Sequence, residues 1–203
     1  KKAQATNALY VKGAATHINE NGSFISSLSI SEPNNFLNDI ITKHYWSICG
    51  CLIHKSLYNN FSINTSLSIG EDLITTLYLL SQKRCVTSYT NESVYMYVYH
   101  KNSMTNKPTK NNRKYFILIQ EIDKIINKKF FEEKIQNNLK HLIIQYILTE
   151  INLDILNKKE RNITLHLLKK YFYFNIREHQ NWIKENIKTY LLLLSYLKYY
   201  LKG

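Results

Sequence analysis

The first part of the chain alternates short apolar stretches with polar turns. Residues 7–12 are apolar, Gly13 follows them, 19–22 form a polar turn, and 24–30 alternate weakly. Two such stretches around a turn rich in Asn and Gly are typical of strands joined in a hairpin. The pattern therefore predicts a β-hairpin within the first 30 residues.

A helix and a buried strand are predicted next. Apolar residues at helical spacing predict a helix over 36–44,. Residues 45–53 are apolar and aromatic with Gly50 inside, which is typical of a buried strand where another group approaches the backbone closely,. Residues 55–58 predict one helical turn and 61–69 a polar loop.

Two adjacent carboxylates open the next helix. Gly70, Glu71 and Asp72 precede apolar residues at helical spacing, which predicts an amphipathic helix to about Gln82 with an acidic first turn,. The chain then predicts a short strand at 85–87, a turn at 91–93 and a strand at 94–99,.

The pattern changes after the last of these strands. Residues 107–112 are rich in Lys and Asn and include Pro108, so they predict a linker,. From Arg113 onward no strand pattern occurs, and helices are predicted near 113–127, 132–156, 158–175 and 178–201,. The predicted architecture is α/β over 1–106 and all-helical over 113–203.

Composition indicates a folded, basic protein. The chain is 44% hydrophobic and 13% aromatic, which excludes a disordered class, and its net charge is +12,. Such a charge suits an anionic membrane surface, nucleic acid or a phosphorylated ligand. Abundant Lys, Asn and Ile are also what an AT-rich genome encodes, without any functional cause.

The cysteines and the hydropathy pattern point to a cytoplasmic setting. Only Cys49, Cys51 and Cys85 occur, an odd number without the spacing of a zinc site,. No apolar run approaches the roughly 20 residues that span a bilayer, and no charged-then-apolar leader is present. The chain starts at Lys1, and we expect it to be a segment of something longer.

Each candidate functional residue has a structural alternative. Acidic residues such as Glu71 and Asp72 stabilise a helix N-terminus by about 0.3 to 1 kcal/mol, but one of them can also act as a general base. Trp46 can stack on a sugar ring or fill the core. His100, next to Lys101, can contact a diphosphate or a metal, or be an ordinary surface residue.

The order of these residues is more informative than any one of them. Over about residues 36–106 the chain resembles the second half of a family 2 glycosyltransferase catalytic domain. That family shows a Trp, a Gly-Lys-Leu segment, a Glu-Asp pair opening a helix, and a Tyr-x-Tyr strand before a Ser-Ile/Met-Thr segment. The matching residues here are Trp46, Gly50-Cys51-Leu52, Glu71-Asp72, Tyr95-Met96-Tyr97 and Ser103-Met104-Thr105.

The resemblance implies a GT-A fold with a Rossmann-like mixed sheet. It also implies inverting transfer of a sugar from a nucleotide-sugar donor to a saccharide or lipid-linked acceptor, as in bacterial lipooligosaccharide or capsule synthesis. Asp72 matches the expected general base, Glu71 would orient the acceptor, and Trp46 matches part of the acceptor-side wall. His100 and Lys101 match the region that closes over the donor diphosphate, with His100 a possible metal ligand.

The chain departs from the family pattern in two ways. Cys51 stands where a lysine is usual, and no Asp-x-Asp motif occurs. The Mg²⁺ or Mn²⁺ expected for the complete enzyme would therefore take most of its ligands from outside this chain. We expect residues 1–106 to be the acceptor-side part of the catalytic domain, inactive in isolation. The alternative is a noncatalytic binding or regulatory module with the same fold.

The C-terminal tail adds a hypothesis about membranes. Residues 190–202 are rich in Leu, Tyr and Lys, which suits an interfacial helix on the anionic inner face of the cell membrane,. Packing of this apolar face on the rest of the protein is the alternative. Nucleic acid is not expected as a partner, because the basic residues are dispersed and no binding motif accompanies them.

Overall fold

The computed structural model describes residues 1–32, 35–59, 61–100, 113–151 and 156–178. The predictions for Lys101, the linker at 107–112, the last helix and the 190–202 tail lie outside these residues. The described helices are α1 (Lys2–Thr6), α2 (Phe36–Thr42), α3 (Glu71–Leu80), α4 (Arg113–Asn127), α5 (Glu133–Thr149) and α6 (Lys158–Glu178), with a 3₁₀ turn at Lys55–Tyr58. The strands are β1 (Tyr10–Asn19), β2 (Phe24–Leu28), β3 (Cys51–Ile53) and β4 (Thr87–Tyr99).

Strand β1 is the centre of a small mixed sheet. β2 and β3 pair antiparallel with it, while β4 pairs parallel with it along its whole length. Lys12 pairs with Cys51 of β3 on one side and with Tyr89 of β4 on the other. Further along β1, β2 pairs with it on the same side as β3. The predicted hairpin is confirmed as β1 and β2, and the mixed α/β character is confirmed as well.

The turn predicted at 91–93 is wrong. The chain continues through it as one strand, in which the 13 residues of β4 run beside the ten of β1. The register shifts between Gly13 and Ala14 and again between Ala14 and Ala15, so the extra residues of β4 bulge out of the ladder,. The polar residues that suggest a turn therefore mark a bulge.

The buried strand predicted at 45–53 is mostly wrong. Only Cys51–Ile53 is strand, and Leu52 is 64% exposed. The predicted close approach at Gly50 is confirmed: its φ is 71°, and a Cβ built on it would come within 3.0 Å of Tyr95 Cβ. The residues before Gly50 form a loop instead, in which the Ser47 and Cys49 carbonyls accept hydrogen bonds from the buried Lys12.

The described residues separate into two compact units, the first comprising 1–32, 35–59, 61–100 and 125–138. In the first unit α2 and α3 cover the face of the sheet that carries Tyr10, and the core collects buried side chains from strands and helices. Burial of this apolar surface is the main stabilising contribution. The fully buried core residues include Tyr10, Ile30, Ile40, Leu57, Leu73, Leu77 and Leu79.

The second unit, comprising 113–124, 139–151 and 156–178, is helical, as predicted from residue 113 onward. Asn157 and Glu160 form a reciprocal cap at the start of α6, with N–H to side-chain oxygen distances of 2.9 and 3.1 Å,. Asp123 accepts hydrogen bonds from Lys170 Nζ at 2.7 Å and from the Tyr171 hydroxyl. Within the ranges described, no helix is both long enough and apolar enough to cross a membrane.

Candidate functional site

The candidate site is built around the loop 45–50, which joins α2 to β3. The Tyr45 hydroxyl donates to the Gly13 carbonyl, and Gly13 N–H donates to the Gly50 carbonyl at 3.0 Å. Thr76, on α3, donates from its hydroxyl to the Trp46 carbonyl at 2.9 Å. Hydrogen bonds from β1 and α3 thus fix the loop between the sheet and the helix.

Asp72 lies beside this loop in the first turn of α3. The polar groups of Ile48 and Ser47 on this loop favour its charged form and act to lower its pKa,. Asp72 is half-buried, whereas Glu71 is exposed to solvent. The loop that contains Trp46 thus lies beside the helix that carries Asp72, and Glu71 lies on the solvent side.

The surroundings of Asp72 favour its protonated form. Burial raises the pKa of Asp72 above its usual value, and the neighbouring Glu71 charge raises it further,. The polar groups of Ile48 and Ser47 and the charge of Lys12 act in the opposite direction but do not outweigh burial. A carboxylate with a raised pKa is a stronger base than an ordinary surface aspartate.

Lys12 is a member of the site that the sequence analysis missed. It sits on β1, is 1% exposed, and donates from Nζ to the Ser47 carbonyl and to the Cys49 carbonyl at 3.2 Å. The same Nζ lies 4.2 Å from the centre of the Tyr45 ring. A lysine among apolar residues of a strand was the available signal, since a buried ammonium needs partners.

Trp46 lies partly in the core of the first unit. It is half-buried and packs against that core, and its ring centre lies 4.7 Å from that of His44. Its stacking on a sugar ring stays a prediction.

The three cysteines are all free. Cys49 is exposed to solvent. Cys51 is half-buried, with its Sγ 3.2 Å from the Tyr10 hydroxyl oxygen.

The structure does not bring His100 to Asp72. His100 Nδ1 lies 3.2 Å from Glu20 Oε1, and both side chains are mostly exposed. Glu20 follows the last residue of β1, whereas Lys12 lies near its start. At about 3.3 Å per residue, the seven steps from Lys12 to Asn19 place the end of β1 near His100 about 23 Å from Lys12.

The described residues do not provide a metal site. Among them, no group of three or more His, Cys, Asp or Glu side chains is arranged to hold a metal ion. The Mg²⁺ or Mn²⁺ implied by the resemblance therefore finds no ligand set among the described residues, and the expectation that most of its ligands lie elsewhere stays a prediction.

Comparison with known proteins adds no relative. No protein-family model matches the sequence, and no curated protein matches it. The fold defines a mixed α/β protein. Its candidate site contains a half-buried carboxylate at a helix start, beside the loop 45–50 and the buried Lys12.

Proposed function

We propose that this chain is the acceptor-side part of an inverting family 2 glycosyltransferase, with Asp72 as the general base. The observation that carries the proposal is the position of Asp72. It lies in the first turn of a helix, has a raised pKa, and is close to the loop that contains Trp46, which Thr76 of the same helix holds. These are the residues that the resemblance pairs in one site.

The proposed chemistry is one proton transfer coupled to one displacement. Asp72 takes the proton of the acceptor hydroxyl as that oxygen attacks the anomeric carbon of the donor sugar, and the nucleotide diphosphate leaves from the opposite face. Burial disfavours the charge on Asp72, so accepting a proton relieves a cost that the folded protein carries,. Glu71, exposed beside it, orients the acceptor.

The substrate classes follow from the same proposal. The accessible part of the Trp46 ring forms one wall of the acceptor subsite, where a sugar ring can stack. The acceptor is a saccharide or a lipid-linked saccharide, and the donor is a nucleotide sugar. His100 lies near the far end of β1, about 23 Å along the strand from Lys12, so it is given no role in this step,. The setting is cytoplasmic, with residues 190–202 as a possible contact to an anionic membrane.

The direct test is Asp72→Asn in the full-length product of the gene. We expect transfer to fall by about 10²- to 10⁴-fold, the usual contribution of a general base, with donor binding retained. Folding stability should not fall, because the asparagine carries no charge to bury. Glu71→Gln is the matched control and should weaken acceptor use much less. Turnover retained by Asp72→Asn rejects Asp72 as the base.

Acceptor binding can be measured on the 203-residue chain itself. Saturation-transfer NMR with a panel of bacterial surface saccharides should show contacts that Trp46→Ala removes. Binding by this chain together with absence of transfer in the full-length product would favour the noncatalytic module. Absence of both would reject the acceptor site.

A further inference from the structure

Lys12 is the most deeply buried charged side chain of the first unit that the proposed chemistry leaves unused. It is 1% exposed, and its Nζ donates to the Ser47 and Cys49 carbonyls, lies over the Tyr45 ring and is close to the Cys51 thiol. Removing an ammonium from water costs several kcal/mol unless hydrogen bonds replace the lost solvation. The position of the two carbonyls is therefore tied to the lysine.

These two carbonyls belong to the residues on either side of Ile48. Lys12 binds the Ser47 and Cys49 carbonyls from the sheet side, while Thr76, one turn after Asp72, donates to the Trp46 carbonyl from the helix side at 2.9 Å. The loop is thus held between Lys12 on β1 and the start of α3, where Asp72 lies. A shift of the loop toward or away from Lys12 therefore changes the polar surroundings of Asp72.

We infer that Lys12 is a positioning residue for Asp72: by binding the carbonyls of Ser47 and Cys49, it holds the loop against the start of α3, where the Asp72 carboxylate lies. The role of Lys12 in catalysis rests on the proposed function, whereas its role in holding the loop rests on its contacts alone. Lys12 is too buried to touch substrate, so it acts through the loop and through its charge.

Asp72 faces ionisable groups from each packed element. Glu71 is on its own helix, Lys12 is on β1, and Tyr95 on β4 is close enough to interact with it electrostatically. On the loop side the thiols of Cys49 and Cys51 interact electrostatically with Lys12. Lys12 is the only cation among these groups.

The test is a titration of the Asp72 carboxyl carbon by NMR in the 203-residue chain. Lys12→Met removes the charge and the two hydrogen bonds at nearly constant side-chain length. We expect the pKa of Asp72 to rise, because a nearby opposite charge and the anchor of the loop are lost together. Lys12→Arg, which keeps a cation and donors, should restore most of the wild-type pKa.

Lys43→Met is the matched control. Lys43 also pairs with a carboxylate, Asp39, at 3.1 Å, but it makes no contact with the loop among its recorded partners. This variant should leave the pKa of Asp72 unchanged. A Lys12→Met protein with an unchanged or lowered pKa of Asp72 would overturn the positioning role.

A second measurement covers the case in which Lys12→Met does not fold. In the wild-type chain, the Lys12 ¹⁵Nζ resonance and the Ile48 amide should both shift with the midpoint of the Asp72 titration, and the Lys12 ammonium protons should exchange slowly. A Lys12 resonance that does not respond to Asp72 would overturn the inference without any variant.

Activity measurements distinguish the positioning role of Lys12 from the proposed role of Asp72 as the base. In the full-length product, Lys12→Met should lower kcat about tenfold and leave the acceptor KM nearly unchanged, with the pH–rate profile displaced in the direction of the new Asp72 pKa. If Asp72→Asn keeps its turnover while Lys12→Met moves the Asp72 pKa, the function fails and the positioning stands. If Asp72→Asn abolishes turnover and Lys12→Met moves nothing, the positioning fails and the function stands.

Discussion

Gly13→Ala tests how closely β1 and β4 must approach behind the candidate site. A Cβ built on Gly13 would lie 2.0 Å from Val94 Cγ2, 3.0 Å from Cγ1 and 3.1 Å from Cβ. Gly13 also donates to the Gly50 carbonyl and accepts from the Tyr45 hydroxyl, so it cannot move without disturbing the loop. Either Val94 must leave its rotamer or the two strands must separate.

The expected cost follows from these contacts. Inserting a methyl group into a packed position costs about 1 to 3 kcal/mol, and the lower chain entropy of unfolded alanine returns about 0.4 to 1 kcal/mol. We therefore expect Gly13→Ala to destabilise the first unit by about 1 to 2 kcal/mol. Val94 is 52% exposed, so Val94→Ala alone should cost no more than about 1 kcal/mol,.

The assay is a double-mutant cycle read by native-state hydrogen exchange of the β1 amides. These amides report on the first unit directly, which matters in a chain with two compact units,. The double variant should recover most of the loss, with a coupling energy of about 1 kcal/mol or more. A Gly13→Ala protein as stable as wild type, or a Val94→Ala change that gives no rescue, would refute the close-packing argument.

Three further changes test the framework of the first unit. Asp39→Asn should destabilise it by about 2 kcal/mol in urea unfolding, because burial of Asp39 is outweighed by hydrogen bonds from Ser31 and Lys43 that hold its pKa below the usual value,. This contribution is present above the unfolded-state pKa and is lost as the pH falls through the folded one, so the gap should close in acid. Leu77→Ala, at a fully buried site, should cost about 2 to 5 kcal/mol in the same assay, and Thr76→Val about 1 kcal/mol,.

Local patterns were enough to predict several helices of this fold. The apolar spacing after Glu71, the stretch from Phe36 and the single turn at 55–58 all lie where the structure has helices, because each is decided by residues close in sequence. The Gly50 prediction also held, since glycine at a left-handed φ beside a close neighbour leaves a visible mark in the sequence,. The GT-A fold and the family itself stay predictions.

What could not be predicted depends on contacts between distant residues. The apolar side chains of the loop 45–50 predict a strand. In the structure the Ser47 carbonyl of this loop accepts a hydrogen bond from Lys12, 35 residues earlier in the chain. The 91–93 segment reads as a turn because it is polar, and only pairing with β1 shows it to be a bulge. Lys12 was missed for the same reason, because its burial depends on the assembled sheet and not on its neighbours in the sequence.

Two aspartates of the first unit differ in a way that bears on the general base proposed above. Both are wholly or partly buried and both have a lysine nearby, yet the pKa of Asp39 is lowered and that of Asp72 is raised. At Asp39 the lysine points its ammonium at the carboxylate, which stabilises the charge and the fold. At Asp72 the hydrogen bonds of the lysine go to the loop carbonyls instead, and Glu71 adds a like charge. A capping residue gains from its charge, whereas burial makes the charge of Asp72 costly, and this difference supports the proposal that Asp72 is a general base.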